Sequence, residues 1–149
     1  MALIDVDDDV RLAIYRYFID DGRAPVPAEV GRKVGISTLE AEQSFRRLAD
    51  AHILVLAEGT PYIWMANPFC ASPSPFRVEA GGRTRWGICI WDALGVLTML
   101  EQDGTVDTFC PDCSEPLQLE VRNKTVTHSD EVVHFSVPAA HFWDDIGFT

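Results

Sequence analysis

The sequence has no long hydrophobic run and little positive charge. No segment approaches the roughly 18 consecutive apolar residues of a membrane-spanning helix, so such a span is excluded. The chain has 12 Lys and Arg against 23 Asp and Glu, a formal net charge of −11. A protein this acidic repels phosphate backbones unless its basic residues share one face, which makes nucleic acid an unfavoured partner. The first residues lack the basic and apolar regions of a secretory signal, so we expect a cytoplasmic protein.

Cysteine is also scarce, with four residues in 149, at positions 70, 89, 110 and 113. In a reducing compartment such cysteines serve metal binding or chemistry more often than disulfides. The content of 47% hydrophobic and 23% charged residues is typical of a folded globular protein. The length suits one ordinary domain or two small ones that share an interface.

The first half of the sequence predicts three helices and a hairpin. Apolar residues recur at helical period, and Ser37 with Glu40 has the spacing of a capping box. Helices are expected over residues 7–20 and 26–34 and after Ser37, and strands over 53–57 and 62–65. These elements predict a winged helix-turn-helix over residues 1–66.

Such a module commonly binds DNA, here through Arg46 and Arg47 on the third helix. The charge of this region opposes that function. Residues 1–68 carry 7 Lys and Arg against 11 Asp and Glu, a net −4, whereas a domain that reads DNA usually has a basic surface. We therefore favour a helical cap that packs on the second half of the chain.

Residues 67–76 are rich in proline and small side chains and predict an extended linker. Residues 77–149 then contain short strand-like runs that one helix, over about 90–101, interrupts. The expected strands are 76–80, 105–109, 117–121, 125–128 and 132–137. The predicted fold class is α+β: a winged-helix-like three-helix region followed by a small mixed or antiparallel β-sheet domain with one packed helix.

The start of that helix holds a thiol and a carboxyl three residues apart, Cys89 and Asp92. At helical spacing their Cβ atoms lie about 5–6 Å apart, so both can act on one small ligand, such as a metal–carbon or acyl bond. If Cys89 sits in the first turn, unpaired N–H groups and the helix dipole favour its thiolate. The alternative is an ordinary buried cysteine beside a carboxylate that stabilises the helix.

Several segments together resemble the organomercurial (alkylmercury) lyases. Besides the three-helix region they are residues 66–69 (ANPF), 86–94 (WGICIWDAL), 110–117 (CPDCSEPL), 133–135 (VHF) and 142–146 (FWDDI). The resemblance implies protonolysis of a carbon–mercury bond without an organic cofactor, releasing a hydrocarbon and Hg(II). It assigns Cys89 the role of mercury-attacking thiolate and Asp92 that of proton shuttle.

Mercury chemistry supports both roles. Mercury is a soft cation that prefers thiolate sulfur, and a second thiolate weakens the Hg–C bond by pushing electron density toward carbon. Carbon then needs a proton. A carboxyl that carries this proton needs a pKa raised by burial, here beside Trp86 and Trp91, unless those indoles are plain core residues.

The resemblance places a second essential cysteine beyond a segment like residues 141–149, and the sequence ends at Thr149. Either the chain is short, or it was trimmed, or another cysteine supplies the second sulfur. Cys70 is the first candidate for that thiol, and Cys110 and Cys113 are others. The expected partners are a small organometallic substrate and cellular thiols. The alternatives are a non-lyase relative that binds zinc or mercury or regulates through its winged helix, and a lyase-fold enzyme with a different substrate.

Cys110 and Cys113 also offer two sulfurs from one tight turn, as tetrahedral zinc or linear mercury sites do. With His128 and His134 they match zinc-finger spacing, but residues 125–137 predict strands, whereas a finger places its histidines on a helix. Three roles for this cysteine pair remain open. It could bind structural zinc, pass mercury on as a relay, or be a pair of thiols without a metal. A disulfide oxidoreductase is disfavoured because a strand, and not a helix, follows the motif.

Overall fold

The computed structural model describes residues 5–127 and 130–148. Its α-helices are α1 (Val6–Asp21), α2 (Pro27–Val34), α3 (Thr38–Asp50) and α4 (Ile90–Leu100). Its strands are β1 (Val55–Leu56), β2 (Ile63–Ala66), β3 (Phe69–Cys70), β4 (Arg77–Ala80), β5 (Arg83–Trp86), β6 (Gly104–Phe109), β7 (Pro116–Arg122) and β8 (Thr125–Thr127). Three helices precede two antiparallel sheets, and α4 lies between β5 and β6, which confirms the predicted α+β class. None of the described helices has the length and apolar character needed to cross a bilayer.

Local sequence signals account for the first three helices. Asp5 caps α1 by accepting the N–H of Asp7, and Gly22 ends it in the left-handed region at φ 72°. The predicted capping box of α3 is confirmed. The Ser37 hydroxyl accepts the N–H of Glu40 at 3.2 Å, and the Glu40 carboxylate accepts the N–H of Ser37 at 2.9 Å.

The predicted hairpin forms between β1 and β2, and β3 adds a third strand to this sheet. β3 lies inside the segment expected to be an extended linker. Phe69 explains the difference, because its side chain is fully buried and stacks on Phe18 of α1 with ring centroids 4.9 Å apart. A buried aromatic ring on each side of this contact joins the segment to the helices.

The second sheet has the strand order β5-β4-β6-β7-β8, and every neighbouring pair is antiparallel. Helix α4 contacts β4 and β6 of this sheet and β3 of the other. One edge strand, β5, escaped sequence prediction, because its sequence Arg-Thr-Arg-Trp shows no apolar alternation.

The strand predicted over residues 132–137 is wrong, since that segment has no strand structure. The structure instead has an irregular course there, followed by a short 3-10 helix at Ala139–His141. Phe135 contacts the rings of Trp91 and Phe142. Phe135 therefore packs against aromatic side chains, whereas Val132 is 88% exposed, and neither residue belongs to a strand.

A buried arginine joins the helical region to the second sheet. Arg85 of β5 is 5% exposed, and its guanidinium donates to the carbonyls of Phe18, Ile19 and Ala80. Two of these carbonyls belong to the last turn of α1, where backbone acceptors run short of helical partners. The Phe18 carbonyl also accepts the N–H of Gly22 at 3.2 Å. Burial lowers the pKa of Arg85, and the three carbonyl contacts compensate for the lost hydration.

Candidate active site

Cys89 lies at the N-cap of α4, one residue before the first turn. Its backbone is extended, and its sulfur accepts the N–H of Asp92 at 3.5 Å, in the place of the usual capping oxygen. Gly87 allows the preceding loop to approach the helix. A Cβ at this position would lie 2.7 Å from the backbone nitrogen of Ala93. Close packing of the loop on α4 therefore requires glycine here.

The thiol and the carboxyl face each other, as the three-residue spacing predicts. The Cys89 thiol donates to Oδ2 of Asp92 at 3.2 Å, and both residues are partly buried. This distance suits direct proton transfer between sulfur and oxygen.

The predicted thiolate at Cys89 is not favoured in the structure. Burial raises the pKa of Cys89 to about 11, and the Asp92 carboxylate adds to that rise. The backbone N–H groups of Asp92 and Trp91 oppose the rise with smaller effects, because they do not replace the lost hydration. The thiol therefore keeps its proton at neutral pH until a bound group withdraws charge from sulfur.

The pKa of Asp92 is also raised, first by burial, as a proton-carrying carboxyl requires. Hydrogen bonds from Cys89 and Asn67 oppose this rise. The nearby Trp91 is not a core residue, since 61% of it is exposed. Burial thus raises the pKa of both members of this hydrogen-bonded pair.

Asn67 is a site residue that sequence reasoning did not assign. Its side-chain amide donates to Oδ1 of Asp92 at 3.2 Å, and its backbone carbonyl accepts the hydroxyl of Tyr15 at 2.7 Å. Asn67 lies 25 residues before Asp92, so helical spacing in the sequence does not predict this contact. The matching segment 66–69 was the only signal in the sequence that pointed toward it.

The Cys89 thiol and the Asp92 carboxyl line a cavity of about 360 Å³. Its walls are largely apolar, and they come from α4, its preceding loop and the irregular segment after residue 130. The lining includes Trp91, Val133, Phe135, Phe142, Ile146 and Phe148. His134, considered above as a zinc ligand, also lines this cavity, together with Ser136 and Asn67. A small apolar molecule with one soft centre matches these surroundings.

The other cysteines do not line the cavity within the described part of the chain. Cys70 is buried on β3, with its sulfur 3.8 Å from the Ser72 hydroxyl. Cys110 and Cys113 lie in the turn between β6 and β7. Backbone N–H groups of Cys113 and Asp112, and then the Cys113 thiol, lower the pKa of Cys110. This turn thus holds two thiols that are separate from the candidate active site.

The described residues assemble no group of three or more His, Cys, Asp or Glu side chains that could hold a metal ion. His128, one of the proposed zinc ligands, lies outside the described residues. Of the arginines considered for DNA contact, Arg46 is exposed, whereas Arg47 pairs with Asp7 of α1 through contacts of 2.6 and 2.8 Å. That pairing holds α3 against α1.

The alkylmercury lyase (MerB) family profile matches residues 69–149, more than half of the chain. The chain belongs to the alkylmercury lyase family. Its fold is similar to that of the solved structure of the mercury-bound form of MerB2, with a TM-score of 0.66 and 24% sequence identity. That similarity covers 85% of this chain and 60% of the MerB2 chain, so this alkylmercury lyase family member spans about 60% of that structure's length. No curated protein matches the sequence.

Proposed function

We propose that this protein cleaves the carbon–mercury bond of small organomercurials by protonolysis, with Cys89 as nucleophile and Asp92 as proton shuttle. The observation that carries the proposal is the 3.2 Å contact between the Cys89 thiol and Asp92 Oδ2 at the wall of an apolar cavity. Membership of the alkylmercury lyase family supports the choice of substrate.

The first step is attack of sulfur on mercury. As the Cys89 sulfur forms its bond to mercury, the thiol proton passes to Oδ2 of Asp92. A soft metal lowers the proton affinity of a bound thiol, which offsets the raised pKa of Cys89. The proton is therefore retained one contact away from the reacting carbon and is not released to water.

The second step is proton transfer from Asp92 to carbon. The Hg–C bond breaks with its electron pair on carbon, and the proton on Asp92 completes the hydrocarbon. For a substrate R–Hg–SR′, the balance is R–Hg–SR′ plus the Cys89 thiol, giving R–H plus a Cys89–S–Hg–SR′ adduct. Burial, which raises the pKa of Asp92, favours this carboxyl as a proton carrier.

The second sulfur on mercury comes with the substrate, as the thiolate of a small cellular thiol. Among the described cavity residues Cys89 is the only thiol, and Cys70 lies elsewhere on β3. A further thiol R′SH then displaces Cys89 from mercury, giving Hg(SR′)₂ and restoring the Cys89 thiol. The proposal places the protein in the thiol-rich cytoplasm, with Hg(II) as a product ligand.

The test incubates the protein with methylmercury or phenylmercury and excess small thiol, and measures methane or benzene. Cys89→Ser and Asp92→Asn are expected to abolish release, whereas Cys70→Ser retains it. If Cys70→Ser also abolishes release in a folded protein, Cys70 is the second thiol and the substrate-borne thiolate is excluded. If the unmodified protein releases no hydrocarbon, the lyase proposal is overturned.

A further inference from the structure

The turn between β6 and β7 holds two thiols that the lyase proposal does not use. The N–H of Cys110 donates to the carbonyl of Glu115 at 2.8 Å, and the N–H of Ser114 donates to the carbonyl of Cys110 at 2.8 Å. Ser114 adopts a left-handed conformation at φ 62°, which closes the turn tightly. Cys113 is exposed and Cys110 is partly exposed, and the hydrogen-bonded turn holds the two cysteines three residues apart.

We propose that Cys110 and Cys113 form a second, surface binding site, a dithiol clamp for a two-coordinate soft cation such as Hg(II). Both thiols lose a proton as the cation binds, so each Hg²⁺ taken up releases two protons and forms two Hg–S bonds.

The number of ligands decides between a soft two-coordinate ion and zinc. A structural zinc site takes four ligands, commonly two or more of them thiolates. Within residues 5–127 and 130–148, no third His, Cys, Asp or Glu joins the two thiols in a metal-binding group. Two thiolates alone complete the coordination of a linear soft cation but leave zinc half-coordinated.

The turn also lies at the same end of the sheet as the candidate active site. β5 and β6 run in the same direction because each is antiparallel to β4 between them. Trp86, Arg77 and Asp107 form one row across these strands, and β5 and β6 lie roughly 10 Å apart there. Cys89 and Cys110 each follow that row by three residues. Cys89 and the dithiol turn therefore lie at the same end of this sheet.

The test uses the full chain with Cys70→Ser and Cys89→Ser, which leaves Cys110 and Cys113 as its thiols. The reduced protein is loaded with mercuric chloride, desalted, and titrated with a small monothiol while bound mercury is measured. We expect one Hg(II) per chain and two protons released per ion. Adding Cys113→Ser is expected to lower the monothiol concentration for half-release at least about tenfold, because the second thiol then no longer acts intramolecularly.

Asp112→Asn is the matched control, since it changes the same turn but keeps both thiols, and its mercury should remain bound. Cys110→Ser provides a second test of the pair, with circular dichroism to confirm folding of each variant. Equal retention by the one-thiol variants, half an ion per chain with dimer formation, or equally tight binding of zinc chloride would each overturn the proposal. Mercury is supplied directly, so failure of the lyase reaction leaves this result unaffected.

Discussion

The side-chain amide of Asn67 donates to Oδ1 of Asp92 at 3.2 Å, while the other oxygen of the same carboxylate accepts from the Cys89 thiol. One partner thus comes from the helix that carries Asp92 and the other from the connection between β2 and β3. The Tyr15 hydroxyl on α1 in turn fixes the Asn67 carbonyl. The orientation of the proposed proton shuttle therefore depends on three separate parts of the chain, and Asn67 acts as a positioning residue.

Asn67→Leu should shift the acid limb of hydrocarbon release to higher pH. The Asn67 amide lowers the pKa of Asp92, so its removal raises that pKa further and leaves less carboxylate to accept the thiol proton at a given pH. The measurement is kcat/KM as a function of pH. Tyr15→Phe keeps the amide donor and should shift the limb less. An acid limb that stays in place in a folded Asn67→Leu protein would contradict the role of Asn67.

Asp92→Asn should make Cys89 react faster with iodoacetamide at pH 8, although it abolishes lyase activity. The carboxylate raises the pKa of Cys89 by its charge and by accepting the thiol proton. In the amide the charge disappears, and the neutral oxygen is a weaker acceptor. In the unmodified protein the rate of alkylation should rise with pH toward a midpoint near the Cys89 pKa of about 11. Peptide mass spectrometry separates Cys89 from the other three cysteines. Slower alkylation in the variant would show that Asp92 activates the resting thiol.

Gly87→Ala should destabilise the protein by about 1–3 kcal/mol, the usual range for an overpacked site. A Cβ there would lie 2.7–2.8 Å from three atoms of Ala93, two of them backbone. Gly95→Ala within α4 is the matched control, because its Cβ would meet only Pro68 at 3.6 Å. Alanine should stabilise α4 at that position by about 0.5–1 kcal/mol. Urea unfolding measures both, and equal effects would exclude a close approach at Gly87.

Arg85→Met should lower the free energy of unfolding by roughly 1–3 kcal/mol, because it removes the side-chain donor to the Ile19 carbonyl and one of two donors to the buried Phe18 carbonyl. Arg83→Met on the same strand is the control. Arg83 is exposed, and surface changes of this kind usually stay within about 0.5 kcal/mol. Thermal or urea unfolding compares the two variants. Similar losses in both would mean that Arg85 does not join the helices to the sheet.

Several features of the fold followed from short-range patterns alone. The capping box at Ser37 and the start of α4 depend on hydrogen bonds between residues three apart, which sequence spacing specifies directly. Strand β5 could not be predicted in the same way. Its polar residues occupy a sheet because Arg85 is buried against α1, about 65 residues earlier in the chain.

The winged-helix interpretation of residues 1–66 and the boundaries of the predicted domains stay predictions. The three helices and the hairpin are present, but β3 extends the hairpin into a three-stranded sheet. The core is continuous from α1 to β7, since buried residues of both halves belong to one cluster. Composition marked residues 67–76 as a linker, whereas the burial of Phe69 made part of that segment a strand.

The sequence by itself determined that Cys89 and Asp92 share one side of a helix start, because helical geometry brings residues three apart together wherever the helix lies. Only the tertiary structure decided what that pair is chemically. Burial raised the pKa of both groups above their ordinary values. The side-chain amide of Asn67, from a distant segment, donates a hydrogen bond to the second carboxylate oxygen. Local spacing specifies neighbours along the chain, whereas hydration and long-range hydrogen bonds depend on which surfaces the whole fold covers.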